Sequence, residues 1–430
     1  MKNVLVKMAV ILLMLFDQFI FAQSPDVLWQ KILGGDSSDV AYDIEELWDG
    51  GFAIVGYTKP IPLTDYDVWL IRTDSNGDTM WTKTYGGDGD DYGYSMQKTN
   101  DGGFIIGGAT NSLGAGGLDF YLIRTDSLGD TLWTKTFGTE GKDIAWSVDL
   151  SNENGFVIAG VTHFFPDTAD AWIIKTDEIG QMVWQKIYGT IGEDRIYSIK
   201  RVVDNGYILA GQIDCRAGSN DDFCDAWIIR IIESGDSIWT NHFDGNWAGW
   251  FYSSTQTENG DFTFVGTTIQ TPGADYDVWL LRSDSTGKQL WEKYFDYDSD
   301  FDEGYSIDQT DDGGYIISGM RSTFEGANVV WVIKTNSIGD SLWTKTIFIP
   351  QAKTSDFFLG EDVGLSVKQT QDGGYIVTGA ASFYTQDQFD IFLTKIAPDI
   401  VPVELASFTA TAQQNSVSLN WQTATETNNS

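Results

Sequence analysis

Seven tryptophans recur along this chain at a near-constant interval, and that period constrains the fold more than any other feature. Trp29, Trp81, Trp133, Trp184, Trp239, Trp291 and Trp343 are spaced by 52, 52, 51, 55, 52 and 52 residues. Each stands in a variant of one phrase, clearest as Leu132-Trp133-Thr134-Lys135. A fixed period of this length marks one supersecondary unit copied along an array. A residue present in every copy serves the copy, so specific chemistry is sought first among residues that occur once.

Within a copy, four short β-rich runs alternate with Gly/Asp/Asn turns. In the second copy the runs are Tyr94-Ser95-Met96, Phe104-Ile105-Ile106-Gly107, Asp119-Phe120-Tyr121-Leu122-Ile123-Arg124 and Thr131-Leu132-Trp133-Thr134-Lys135. The turns between them, such as Asn100-Asp101-Gly102-Gly103, carry hairpin chemistry. The third run is almost wholly apolar, as in Ala171-Trp172-Ile173-Ile174 and Val278-Trp279-Leu280-Leu281, the pattern of a strand covered on both faces. A four-stranded sheet with a neighbour on each face is a propeller blade.

The second-run turn precedes Phe52, Phe104, Phe156, Tyr207, Phe262, Tyr315 and Tyr375, and the third run also occurs seven times, ending with Asp390-Ile391-Phe392-Leu393. No Trp phrase follows that last copy, whereas Val27-Leu28-Trp29-Gln30-Lys31 stands orphaned before the first. The fold expected is all-β: a seven-bladed β-propeller over residues 26–397, its last blade completed by the N-terminal strand. Closing the ring in this way leaves no open edge between the first and last blades.

The chain opens with Lys2 and Lys7, an apolar run over 8–16 and then Phe19-Ile20-Phe21-Ala22-Gln23. That order reads as a signal peptide over residues 1–22 and predicts export, to the medium or the outer cell surface. No later stretch approaches the roughly 18 apolar residues that span a bilayer. With 62 Asp and Glu against 26 Lys and Arg, the formal net charge is −36. Such a balance argues against nucleic acid, whose phosphates need basic partners, and suits a solvated surface or carboxylates that hold calcium. Cys215 and Cys224 are the only cysteines and are expected to form a disulfide that pins one loop.

The repeat resembles the Asp-Gly-Gly-Tyr/Phe propeller repeats of large secreted Bacteroidota proteins. Its phrases Gly77-Asp78-Thr79-Met80-Trp81 and Gly287-Lys288-Gln289-Leu290-Trp291 are similar to the tryptophan-docking repeats of quinoprotein-like propellers. After a linker, residues 401–411 and Leu419-Asn420-Trp421 resemble the opening of a fibronectin type III-like module. Residues 398–430 would then be a linker and the first strands of a truncated β-sandwich. That module commonly precedes the C-terminal sorting domain of type IX secretion cargo, which implies the type IX machinery as a partner. These resemblances specify architecture and leave the ligand open.

Loops that differ between copies fall at one end of such a propeller, which predicts a binding surface there. They include 59–66, 111–118, 163–169, 213–223, 268–276, 381–389 and the insert 349–362. On this face Trp247, Phe164, Phe165 and Tyr384 stand near acids and are the candidate ligand contacts, a pairing suited to sugar rings in a polysaccharide or to a cell-surface protein. Trp250 occupies a first-run position and reads as blade packing. Asp296, Asp298 and Asp300 are peculiar to one copy and are the calcium candidates, though the segment departs from the EF-hand pattern. The acids that recur, among them Asp39, Asp91, Asp143, Asp194, Asp302 and Asp362, read as turn caps.

No Ser or Cys partner is identifiable for His163 or His242, so nothing supports a nucleophilic triad. The functional expectation is an exported binding, adhesion or scaffold propeller without evident catalysis. The alternative is a carbohydrate-active enzyme using acids of the variable face.

Overall fold

The computed structural model describes residues 23–35, 38–59, 65–165, 168–216, 223–243, 248–270, 275–297, 301–323, 327–349, 362–382, 389–399, 405–412 and 417–423. Among them the chain forms seven four-stranded antiparallel sheets, six of them from consecutive strands. Blade 1 runs Val40–Glu46, Phe52–Thr58, Asp67–Thr73 and Thr79–Tyr85. Each blade begins on an inner strand at the ring axis and ends on an outer strand. The third strand is the most apolar run because neighbouring sheets cover both of its faces, and every residue of Asp119–Thr125 is buried. The core lies between blades: Val55, Val68 and Leu70 of blade 1 pack with Met96, Phe104, Ile106 and Tyr121 of blade 2.

The ring closes as the displaced Trp phrase predicts. Val27–Leu33 pairs antiparallel with Phe389–Ile396, with Trp29 opposite Lys395 and Leu33 opposite Ile391. The seventh sheet is completed inward by Tyr375–Ser382 and Val363–Gln369. The Asp39 amide donates to the Phe389 carbonyl at 2.6 Å, joining blade 1 to blade 7.

The periodic tryptophans are inter-blade fasteners. Each indole lies against the glycine of the next blade's third turn: Trp29 on Gly77, Trp81 on Gly129, Trp133 on Gly180, Trp184 on Gly235, Trp239 on Gly287 and Trp291 on Gly339. These glycines have φ near +80°, for example +75° at Gly77, and the indole fills the space a Cβ would need. Two residues on, a lysine crosses four of these junctions, as in Lys31–Asp78 at 2.6 Å and Lys293–Asp340 at 2.7 Å, and Asn241 donates to the Gly287 carbonyl at 2.8 Å in another. Trp343 faces blade 7, whose outer strand comes from the N-terminus. Its Nε1 donates instead to Asp399, just past the end of that blade's third strand, at 2.7 Å.

The Asp-Gly-Gly turn has a partner that sequence reading did not assign. In every blade a cation at the end of the third strand, buried in all but blade 5 where it is half-buried, meets the acid of that turn: Arg72–Asp49, Arg124–Asp101, Lys175–Glu153, Arg230–Asp204, Arg282–Asp261, Lys334–Asp312 and Lys395–Asp372, at 2.5 to 2.9 Å. Lys334 is fully buried and also donates to the Thr335 carbonyl at 2.9 Å. Removing its acid strands a charge that water cannot easily reach. Asp312→Ala is therefore expected to cost about 3 kcal/mol, and adding Lys334→Met should restore most of it. Urea unfolding of both variants checks this; a single-variant loss below about 0.5 kcal/mol, the usual surface-substitution range, would refute the fastener role.

The recurring acids do cap turns, as expected. Asp91 accepts from the Gly87 amide at 2.9 Å, Asp143 from Thr139 at 2.6 Å and Asp302 from Tyr297 at 2.6 Å. Cys215 and Cys224 form the expected disulfide between the second and third strands of blade 4. Beyond the propeller, Leu405–Ala412 and Val417–Thr423 form a two-stranded antiparallel hairpin with Phe408 opposite Trp421. No helix among the described residues is long and apolar enough to cross a membrane.

Candidate functional site

Every inner strand carries a β-bulge at the same place, and the bulges build the site. The ladder skips Tyr42, Tyr94, Trp146, Tyr197, Tyr252, Tyr305 and Leu365 in turn. A bulge bends the strand and re-aims the extra side chain. Here it turns six aromatic residues toward the ring axis. Their centroids follow one another around the channel: Tyr42–Tyr94 at 4.9 Å, Tyr94–Trp146 at 4.5 Å, Trp146–Tyr197 at 5.9 Å, Tyr197–Tyr252 at 5.2 Å and Tyr252–Tyr305 at 5.0 Å. Leu365 of blade 7 interrupts the belt. The belt surrounds a cavity of about 610 Å³.

The next residue of each strand is a serine, except Asp43 in blade 1, and its oxygen is largely spent on the neighbouring blade. Ser95 accepts from the Val148 amide at 3.3 Å, Ser147 from Ile199 at 3.1 Å and Ser306 from Val367 at 3.2 Å. Asp43 takes the Met96 amide at 3.0 Å and the Ser366 hydroxyl at 3.2 Å. Burial pushes the Asp43 carboxyl up against the pull of Lys368. Two residues beyond the serines, the inner strands bring charged side chains into proximity. Lys368 lies 3.6 Å from Glu45, which also meets Lys98 at 3.3 Å. Burial would lower the Lys368 ammonium, but Glu45, Asp308 and Asp43 hold it above its usual range. Burial likewise pushes up the Tyr94 and Tyr252 phenols, which stay neutral donors at any physiological pH.

Four charged residues line the cavity: Arg195, Lys200, Lys368 and Asp43. Arg195 gives one Nη to Glu193 at 2.6 Å, and its Nε has no partner. Among the described residues Lys200 forms no ion pair. The Trp146 indole NH is buried and unpartnered.

The structure places the sequence candidates away from this channel or leaves them outside the described residues. Phe164 and Phe165 end the second strand of blade 3, Phe156–Phe165. Trp247, Tyr384, Asp298 and Asp300 lie outside the described residues. Asp296 follows the outer strand of blade 5, Gln289–Phe295, where the corresponding residues of blades 1, 2 and 3 are Gly86, Gly138 and Gly189. There it raises both Asp277 and Asp302 after burial has already done so. Among the described residues no three His, Cys, Asp or Glu side chains are placed to hold a metal ion. Trp250 packs on Tyr252 and Tyr276 at 6.3 and 5.7 Å, as expected of blade packing.

Sequence reasoning passed over the channel belt because its residues recur. The available signal was an aromatic-Ser pair in the first run of five copies, combined with the two cations Arg195 and Lys200 flanking one such pair.

No family model matches the chain, and no curated protein matches it. Among solved structures the chain is similar to a protein of unknown function from Dyadobacter fermentans, with 10% identity, coverage of 87% of this chain and 99% of that one, and a TM-score of 0.48. It is also similar to the Pan2 WD40 domain of Neurospora crassa, with 10% identity, coverage of 86% and 98%, and a TM-score of 0.48. A third is an α-L-arabinanase of Penicillium chrysogenum in complex with arabinobiose, with 9% identity, coverage of 87% and 98%, and a TM-score of 0.44.

Proposed function

We propose that this chain is an exported binding propeller without catalytic activity, and that its ligand, a polysaccharide segment, enters the aromatic-lined channel. The observation that carries the reading is the bulge-built belt of Tyr42, Tyr94, Trp146, Tyr197, Tyr252 and Tyr305 around a cavity of about 610 Å³. Its volume falls within the range of roughly 300–1,000 Å³ typical of ligand sites. Aromatic faces with hydroxyls at their edges offer a sugar both apolar contact and hydrogen bonds. Glycoside cleavage ordinarily needs two carboxyl groups flanking the bond, and Asp43 is the one carboxylate lining the cavity, already engaged by Met96 and Ser366. That favours binding over hydrolysis. The disulfide supports an oxidising, extracellular address. The C-terminal hairpin is compatible with a following sorting module and cell-surface display by the type IX route.

A glycan array combined with a reducing-sugar release assay tests the reading. Binding without release is expected. Release would support a glycoside hydrolase or lyase instead, and silence in both would leave a structural spacer. Trp146→Ala and Tyr197→Ala are each expected to weaken the best array ligand about tenfold, since an aromatic contact contributes about 0.5–1.5 kcal/mol beyond its area. Unchanged affinity in both variants would move the site off the channel.

A further inference from the structure

The cavity reverses the charge of the protein that surrounds it. Acids outnumber bases 62 to 26 in the chain, yet three of the four charged residues lining the cavity are basic. The one acid among them, Asp43, is engaged by the Met96 amide and the Ser366 hydroxyl, and burial raises its carboxyl. Lys368 is committed to Glu45. The other two cations, Arg195 and Lys200, lie on the inner strand of blade 4, Glu193–Arg201: Arg195 shares one Nη with Glu193 and keeps an unpartnered Nε, and Lys200 acts on Glu45, Asp43 and Asp308 without a contact ion pair among the described residues.

Arg195 is not required by the blade. The positions equivalent to Arg195 hold Val40, Tyr92, Ile144, Trp250, Glu303 and Val363, so the fold tolerates any chemistry there. Both cations share their strand with Tyr197, whose ring lies 5.9 Å from that of Trp146, the widest aromatic of the belt, on the neighbouring blade. Trp146 Nε1 and Arg195 Nε are sealed from water without a partner, a condition that favours any rearrangement giving them an acceptor. One wall of the channel thus holds two unpartnered N–H donors beside an aromatic face.

We infer that the channel selects an anionic glycan, one whose sugar rings carry carboxylates as uronate residues do, with Arg195 and Lys200 holding the carboxylate while Trp146 and Tyr197 meet the ring. This rests on the glycan reading above and narrows it. Arginine's planar fork matches a carboxylate, and lysine adds a point charge. Repulsion from the net charge of −36 is screened beyond about 8 Å at physiological ionic strength, so the groups lining the cavity decide.

The test is isothermal titration of the full chain with oligomers of galacturonate, glucuronate and mannuronate, each beside its carboxyl-reduced neutral counterpart. At least one acidic oligomer is expected to bind tenfold or more tightly than its reduced form, and less tightly as NaCl rises. Arg195→Gln and Lys200→Gln should each remove most of that preference and leave the neutral oligomer unaffected. Melting curves confirm folding, and Arg195→Lys, which keeps the charge, should retain part of the preference. Equal binding of acidic and reduced oligomers would overturn the charge inference and leave the glycan reading standing. Binding of inorganic phosphate or a nucleoside phosphate in place of every acidic oligomer would overturn the inference. Absence of binding by all oligomers would overturn both.

Discussion

A chain lacking residues 24–35 is expected to lose its single cooperative melt, or to melt at least 10 °C lower, and to self-associate. Val27–Leu33 supplies the whole outer strand of blade 7, so its removal leaves Phe389–Ile396 as an uncovered sheet edge. Six register pairs vanish with it. So do Trp29 packed on Gly77 and against Phe52 at 6.2 Å, and the Lys31–Asp78 contact. A net backbone hydrogen bond contributes about 1 kcal/mol, and a buried aromatic several times that. The loss therefore reaches about 5 kcal/mol or more, comparable to the whole stability of many domains. An uncovered edge with Ile391 and Leu393 beside it also recruits other chains. A synthetic peptide spanning 24–35 should restore the melt in trans, which a merely destabilised core would not allow. If the truncated chain melts within 2 °C of the intact one, closure by this strand contributes little.

The architecture was legible because its signals are local and repeated. Hairpin turns, apolar third runs and the misplaced Trp29 phrase each report on neighbouring residues, and together they dictate blades, their number and their closure. The Cys215–Cys224 pair and the capping role of Asp91, Asp143 and Asp302 were legible for the same reason. The channel was not. Strict alternation would put Tyr94 and Ser95 on opposite faces, whereas the bulge skips Tyr94 in the ladder and lets both line the cavity. No pattern of period two announces a bulge. The partner of the Asp-Gly-Gly acid was hidden because Arg124 lies 23 residues from Asp101 and meets it only once the hairpin forms. Setting aside recurring residues is sound for a linear array, where copies lie far apart. In a closed ring the inner positions of all seven copies converge on one axis, so residues that recur add up to a site. Arg195 and Lys200 gain their meaning from that convergence, which spacing along the chain does not express.

Acidification from pH 8 to about pH 5 is expected to stabilise this protein, contrary to the usual effect of protonating carboxylates. The cause is a set of buried acids at the blade junctions. Burial, then Asp296 and Asp277, push Asp302 up to about 7 in spite of the Tyr297 amide and Arg321. Burial alone pushes Asp362 up to about 6. Asp39, Asp67, Asp119, Asp170, Asp194 and Asp277 are raised in the same direction, each first by burial. The glycines between them show how tightly the acids are held: a Cβ on Gly86 would collide with the carboxylates of both Asp67 and Asp91. An acid whose folded pKa lies above its unfolded value binds protons more tightly when folded. Its ionisation therefore penalises the fold fully above the folded value, and the penalty fades as pH falls toward the unfolded value of about 4. For Asp302 and Asp362, fully or nearly buried, this is on the order of 3 kcal/mol each, present at pH 8, roughly halved by pH 5 and gone only below about pH 4. Acids held low act the other way. Arg124 keeps Asp101 at about 2, and its contribution is lost only below about pH 4. The melting temperature should accordingly rise on acidification, peak between about pH 4 and 5, and fall below. Easing of the general negative charge would raise it as well, and Asp302→Asn separates the two causes. That variant should be more stable than the parent at pH 8, with the gap shrinking through pH 5 and closing near pH 4, and a shallower slope between. A parent whose melting temperature falls steadily from pH 8 to pH 5, or an Asp302→Asn chain with an unchanged slope, would show that the junction acids are neutralised by something other than protons.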